Sequence, residues 1–279
     1  MKTASATALN WVPYPGQRSL HTKYKPLLQG TAGVPDNFEM YLICYGEGGS
    51  HSPRHRHNFD QFRWAFDMPL NFAIGGDIPP GHLGYFPEGM YYGPQTNLEG
   101  TQMLIVQFGG VSGSGYMTNE ALRQGTLELR AKGEFIRGVY TSSDETGKRF
   151  NKDAYEAVWE HIAGRRLEYP PARLSTPIVI DPEAFSWLPV GEGVAKRPLE
   201  IFNERGTAAF QFRLLADARH ELHVEPATRL LYVLSGNLLI EGVPYPTGSA
   251  IGLYNGEGAT ITASEETLIL GFTMPNFEA

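Results

Sequence analysis

Apolar residues in this chain fall in short runs separated by turn formers. The clearest are Glu39–Tyr45, Gln61–Phe66, Gln102–Phe108, Gln211–Leu215, Leu230–Leu234 and Thr267–Phe272. Runs this short, bounded by Gly, Pro, Asn and Asp, predict buried β-strands rather than helices. They form two groups, at 30–112 and 172–279, and each group closes on a similar apolar strand. The texture changes between them. Thr118–Lys132 and Asn151–Ala163 carry helix formers, with Asn119 and Asn151 as candidate N-caps. Tyr155, Val158, Trp159 and Ile162 recur at i, i+3, i+4 and i+7, one stripe suited to packing on a barrel; its rival use is a cofactor surface. His161 lies off the stripe. Two β groups around a helical connection predict an internal duplication. The expected layout is an N-terminal arm at 1–30, a first barrel at 31–112, a helical insert at 113–171 and a second barrel at 172–279.

Composition narrows the partners. A chain of 279 residues is long enough for two cores, and its 32 Gly and 20 Pro fit many turns. The net charge of −7 comes without a long basic run, which argues against nucleic acid or an anionic membrane as partner. No stretch approaches the ~20 apolar residues of a membrane span. No apolar segment follows Met1, so a cytoplasmic protein is expected. The one cysteine, Cys44, fits a reducing compartment and is read as a small buried hydrophobe.

The chemistry concentrates between Gly49 and Trp64. His55 and His57, two apart in an extended segment, share a face, and on a barrel wall that face is the interior. Neutral imidazoles suit Fe, Mn, Ni, Cu or Zn. Gln61 and Arg63 have the same parity as the histidines. Phe62, Trp64 and Phe66 have the opposite one and need a cover, either the other barrel or another subunit. His51 and His82 lie near the same motifs and are read as surface residues, with a replacement ligand as the alternative.

These residues resemble the cupin superfamily. Its first motif runs Gly, five residues, His-x-His, three or four residues, Glu, six residues, Gly. Here Gly49, His55 and His57 fit, Gln61 stands for Glu, and Met68 for the last Gly. Its second motif runs Gly, five residues, Pro-x-Gly, two residues, His, three residues, Asn. Here Gly81, Pro87 and Gly89 fit, Tyr92 stands for His and Thr96 for Asn. The resemblance implies an all-β bicupin, two jelly-roll barrels (double-stranded β-helices) in tandem. In the second group His223, Gly236, Gly248 and Gly256 match, but Glu225 stands for the second His, Arg229 for the Glu, Tyr254 for the Pro and Ala259 for the last His. Arg229 puts a fixed charge where a cation would sit, so a Glu225–Arg229 pair is expected there, with an anion pocket around Arg229 and His220 as the alternative. The first barrel is similar to the gentisate dioxygenase group in its His55-Arg56-His57 and Arg63-Trp64. This chain is short for that group, and Tyr92 stands for its third histidine.

The resemblance implies a metal-dependent enzyme acting on a small organic molecule, with dioxygenase the leading class. The expected ligands are His55, His57, Gln61 and Tyr92 around a divalent transition metal, Fe(II) first. Arg63 and Tyr92 are the expected substrate-handling residues; for Arg63 the competing role is a buried partner for Asp60 or Asp67. The alternatives are an isomerase or lyase, with metal or with histidine and Tyr92 as base and acid, and a non-catalytic binding or structural bicupin. Assembly as a homo-oligomer is expected.

Overall fold

The computed structural model describes residues 1–15 and 21–278. The predicted strands form, with their ends moved by up to three residues. In the first half Phe38–Tyr45, Phe59–Ala65 and Gln102–Gly109 lie side by side; in the second, Ala208–Leu214, Arg229–Ser235 and Thr267–Thr273 do the same. Each trio is the centre of a seven-stranded antiparallel sheet, and smaller sheets face it to close a barrel.

The two large sheets exchange their leading strands. Lys2–Ser5 pairs with Ser249–Leu253 in the second sheet, and Ile178–Ile180 pairs with Leu83–Phe86 at the equivalent edge of the first. Thr22–Gln29 then joins Phe38–Tyr45. The N-terminal arm is therefore sheet material for both barrels. Pairing covers edges that would otherwise expose a row of unmet backbone groups.

Phe62 and Trp64 do face outward from the first barrel, and the second barrel is what covers them. Phe62 is fully buried, stacked on Phe272 at 4.8 Å and edge-on to Phe202 at 5.1 Å. Both large sheets contribute to this one apolar cluster, which also takes in Leu104, Val106, Leu230 and Leu270. Cys44, expected to be buried, is half-buried, and desolvation pushes its thiol pKa up.

The insert is more than helical. Helix α1 spans Asn119–Arg130 and α2 spans Ala154–Ala163, and a three-stranded meander (Gly133–Ile136, Val139–Ser143, Arg149–Asp153) lies between them. The caps differ from the expected asparagines. Thr118 caps α1 through its side chain to Ala121 N, and Asp153 caps α2 through Glu156 N. Asn119 is instead the first helical residue, and Asn151 sits in the meander accepting from Thr141. No helix among the described residues is long and apolar enough to cross a membrane.

At the edge of the inter-barrel core lies a buried carboxyl, Asp60. It accepts from Tyr85 Oη at 2.6 Å and Glu88 N at 2.8 Å. Glu88 is itself held by Ser112 N and Oγ in the glycine-rich loop at 109–115. A Cβ on Gly110 would lie 2.4 Å from the Glu88 carboxyl, so the loop needs glycine to pack here. Desolvation, partly offset by the Tyr85 and Glu88 hydrogen bonds, raises the Asp60 pKa from its ordinary 3.8 to about 7. Between those values the folded chain holds a proton that the unfolded chain has released. Stability therefore falls as pH rises through this window, by on the order of 4 kcal/mol in total from this group. Urea unfolding at pH 5, 6.5 and 8 should show that decline, and Asp60→Asn should flatten it. A wild-type profile with no fall toward pH 8 would count against the assignment.

Candidate functional site

The interior of the first barrel is built in rows. Glu39, Gln107 and Gln61 are cross-strand neighbours, and Tyr41, Ile105 and Arg63 form the next row in. Gln61, Gln107 and the Tyr41–Ile105–Arg63 row line a cavity of about 140 Å³ that His55, His57 and Tyr92 also enter. That is close to the ~150 Å³ engineered cavity that takes up benzene.

Arg63 is buried in this cavity. Its Nη2 donates to Gln61 Oε1 at 3.0 Å and to Tyr92 Oη at 3.0 Å, its Nε reaches Gln61 Oε1 at 3.3 Å, and its plane lies over Phe86 at 4.2 Å. Among the described residues it forms no ion pair. Asp60 faces the opposite side of the strand, toward Tyr85 and Glu88, and Asp67 is exposed. A buried cation without a carboxylate is costly unless something anionic visits it.

Gln61 and Tyr92 are drawn into the same network. Gln61 Oε1 also accepts from Gln107 Nε2 at 3.2 Å, and Gln61 Nε2 donates to Tyr92 Oη at 2.9 Å. The Tyr92 oxygen thus receives two donors, so it enters any further hydrogen bond as a donor. Behind Gln107 the chain of contacts runs to Tyr116, 2.9 Å from Gln107 Oε1 and 2.8 Å from Glu39 Oε2. Glu39 accepts from Asn119 N, the first residue of α1, and burial pushes its pKa up.

The histidines sit beside this network. An isolated backbone bridge joins His55 to Tyr92. The His55 and His57 ring centroids are 5.1 Å apart, and His55 lies 4.5 Å from the Tyr92 ring. His55 Nδ1 is 2.6 Å from the Pro53 carbonyl. In a neutral ring that nitrogen carries the proton, so Nε2 holds the lone pair, the arrangement typical of a metal-binding histidine. His57 stacks on Phe59 at 4.5 Å and meets the edge of Tyr155 at 5.1 Å. Among the described residues no three of His, Cys, Asp and Glu gather as a metal-binding cluster. Of the four expected ligands, the two imidazoles are the donors whose chemistry suits a metal, while Gln61 and Tyr92 bond to each other and to Arg63. His51 is exposed and meets Thr96; His82 is half-buried and meets the Pro80 carbonyl and Asp181.

The insert covers the cavity. Asn119, Leu122 and Thr126 of α1 and Ala154, Tyr155 and Val158 of α2 line it. Part of the α2 stripe is therefore site wall. His161 instead pairs with Glu128 at the surface.

The second barrel is filled. Its interior is an apolar cluster of Phe210, Phe212, Leu231, Val233 and Ile251 with their neighbours. Arg229 pairs with Glu225 at 3.2 Å and donates to the His223 and Glu257 carbonyls. The ion pair forms as expected from the sequence, and the two carbonyls take up further Arg229 donors.

Two barrels with one internal network and one packed core are now in view. Residues 175–275, the second barrel, match the ChrR cupin-like domain family. The chain has the fold of a two-barrel cupin. Its whole length superposes on a candidate dioxygenase from Nostoc punctiforme with a TM-score of 0.60 at 9% identity, covering 100% of this chain and 84% of that one. A variant of oxalate decarboxylase from Bacillus subtilis gives 0.58 at 15% identity, covering 98% and 77%. The likeness to both is one of fold. No curated protein matches the sequence.

Sequence reasoning missed Glu39, Gln107, Tyr116 and Asn119. Glu39 and Gln107 are polar residues at the margins of apolar runs, and the register alone makes them partners of Gln61. It also missed how the Pro87–Gly89 turn is held. Gly89 has φ +76°, donates to the His57 carbonyl at 2.7 Å, and an added Cβ would lie 2.2 Å from the Pro170 carbonyl. Gly89→Ala should cost about 2 kcal/mol or more through left-handed strain and this clash. Thermal unfolding reads the loss; an unchanged Tm would mean that the turn does not brace the site.

Proposed function

We propose that the first barrel is the working half of this cupin and acts on a small, anionic, oxygen-bearing organic molecule. The observation that carries the reading is Arg63, a guanidinium buried in a cavity whose described residues give it no carboxylate. A substrate carboxylate or phenolate would complete its charge through short, charge-assisted hydrogen bonds. Tyr92, with two donors already on its oxygen, would add a hydrogen bond to the same group.

His55 and His57 are the residues that would hold a divalent transition metal, with Fe(II) the first choice and Mn, Ni, Cu or Zn the other ions imidazole suits. The Pro53 contact of His55 supports this role, as does the fold shared with oxalate decarboxylase, an enzyme described with Mn(II) centres. A bound ion would supply Lewis acidity and, as Fe(II), electron transfer to dioxygen. The reaction class we favour is therefore a dioxygenase. In it Arg63 orients the anionic oxygen, Gln61 and Gln107 hold Arg63 in place, and the insert keeps bulk water out.

The Tyr92 geometry favours one second reading, acid–base chemistry without a metal. His55 Nε2 would take a proton from the substrate and Tyr92 would return one, as in an isomerase or lyase.

Elemental analysis of protein purified without added metal, beside His55→Ala and His57→Ala, separates the two. Near-stoichiometric metal in the wild type, lost from both variants, is expected. Metal retained in both would sink the ligand assignment, and turnover that survives exhaustive chelation would favour the acid–base reading. In either case Arg63→Gln should weaken binding of small carboxylates or phenolates at least tenfold by isothermal titration, the loss expected for a charge-assisted hydrogen bond.

A further inference from the structure

The insert could have been an external ornament, yet its two helices form one wall of the cavity. Three observations fix where that wall stands. Helix α1 is tied to the barrel interior at its first residue, where Asn119 N donates to the buried carboxyl of Glu39 at 2.9 Å. Helix α2 is tied beside the histidines, where Tyr155 Oη donates to Asn58 Oδ1 at 2.7 Å. The helices also touch each other with no slack: a Cβ on Gly125 of α1 would lie 2.7 Å from Ile162 and 3.0 Å from Val158 of α2. The wall is therefore held from both ends and braced in the middle.

Its place relative to Arg63 follows from the register together with the Arg63 hydrogen bonds. The Glu39–Gln107–Gln61 row lies at the α1 end, and the Arg63 row lies two residues deeper. Two residues of strand span about 6.5 Å along the backbone, and the Arg63 side chain recrosses part of that span to meet Gln61 Oε1 at 3.0 Å. An anionic group on Arg63 thus directs the rest of its molecule past Gln61 and Gln107 toward the helices. There it meets aliphatic side chains, Leu122 from α1 and Val158 from α2.

We infer that the inter-barrel insert sets the substrate length this site accepts, with Leu122 and Val158 as the specificity-determining residues. The ligand class is a monoanion with an apolar body about the size of one ring or a short alkyl chain, anion inward and apolar end against the helices. The inference rests on the anion-receiving role of Arg63 proposed above.

The test is isothermal titration of the full-length protein with straight-chain monocarboxylates from acetate to decanoate. Wild type, Val158→Ala, Leu122→Ala and Arg63→Gln are compared, with unchanged circular dichroism as the check on folding. For wild type, affinity should rise with length and then fall sharply once the chain outgrows the cavity. Val158→Ala and Leu122→Ala should each move that cut-off to chains longer by at least one methylene. Arg63→Gln should weaken every acid at least tenfold and leave the cut-off in place. A cut-off unmoved in both helix variants overturns the inference while leaving the Arg63 reading intact. A wild type that binds none of the acids overturns both.

Discussion

The burial of Phe62 against Phe272 is the contact on which the rest of this architecture depends. Each barrel has a large sheet with one face toward its own interior and an apolar face outward. The outward faces cannot be left in water, since each fully buried large side chain is worth about 1.5–3 kcal/mol. Stacking one sheet on the other buries both and fixes the relative pose of the barrels. The exchanged strands Lys2–Ser5 and Ile178–Ile180 then complete each sheet with chain from the other half. Once stability is supplied from the back of the sheets, the interior of one barrel need not be packed for stability alone.

The two interiors have used that latitude differently. The second is filled with Phe, Leu, Val and Ile, and its charged residue Arg229 is neutralised by Glu225 and by backbone carbonyls. The first keeps a connected polar network from Glu39 through Tyr116, Gln107 and Gln61 to Arg63 and Tyr92. Amide and phenol groups satisfy the donors of Arg63 in part, but they do not cancel its charge. Pre-organised donors around an unneutralised cation are what an anion receptor requires, because little must rearrange when the ligand arrives.

The insert ties this network to the cavity mouth. Glu39 is at once the far end of the polar chain and the anchor of α1, so the floor and the wall of the site share one buried carboxyl. Tyr155 does the equivalent for α2, touching the His57 ring and bonding Asn58 next to it. A segment that composition marks as a connection has thereby become part of the site.

Much of this was legible without coordinates. Period-two alternation put Gln61 and Arg63 on one face of Phe59–Ala65 and Phe62 and Trp64 on the other, because successive side chains on a strand must point to opposite sides; His55 and His57 precede that strand, and the fold brings them to the same cavity. The short apolar runs set the strands, and the cupin-motif positions of Glu225 and Arg229 anticipated their pair. What the sequence could not determine is which residues from distant strands meet. Gln107 and Glu39 join Gln61 only through the register of three strands, Thr118 and Asp153 cap the helices in place of the neighbouring asparagines, and Leu122 and Val158 face the cavity only because the insert folds back over the barrel. Local periodicity decides which way a side chain points, but only the tertiary fold decides what stands opposite it, since that partner is set by register and packing across many residues of chain.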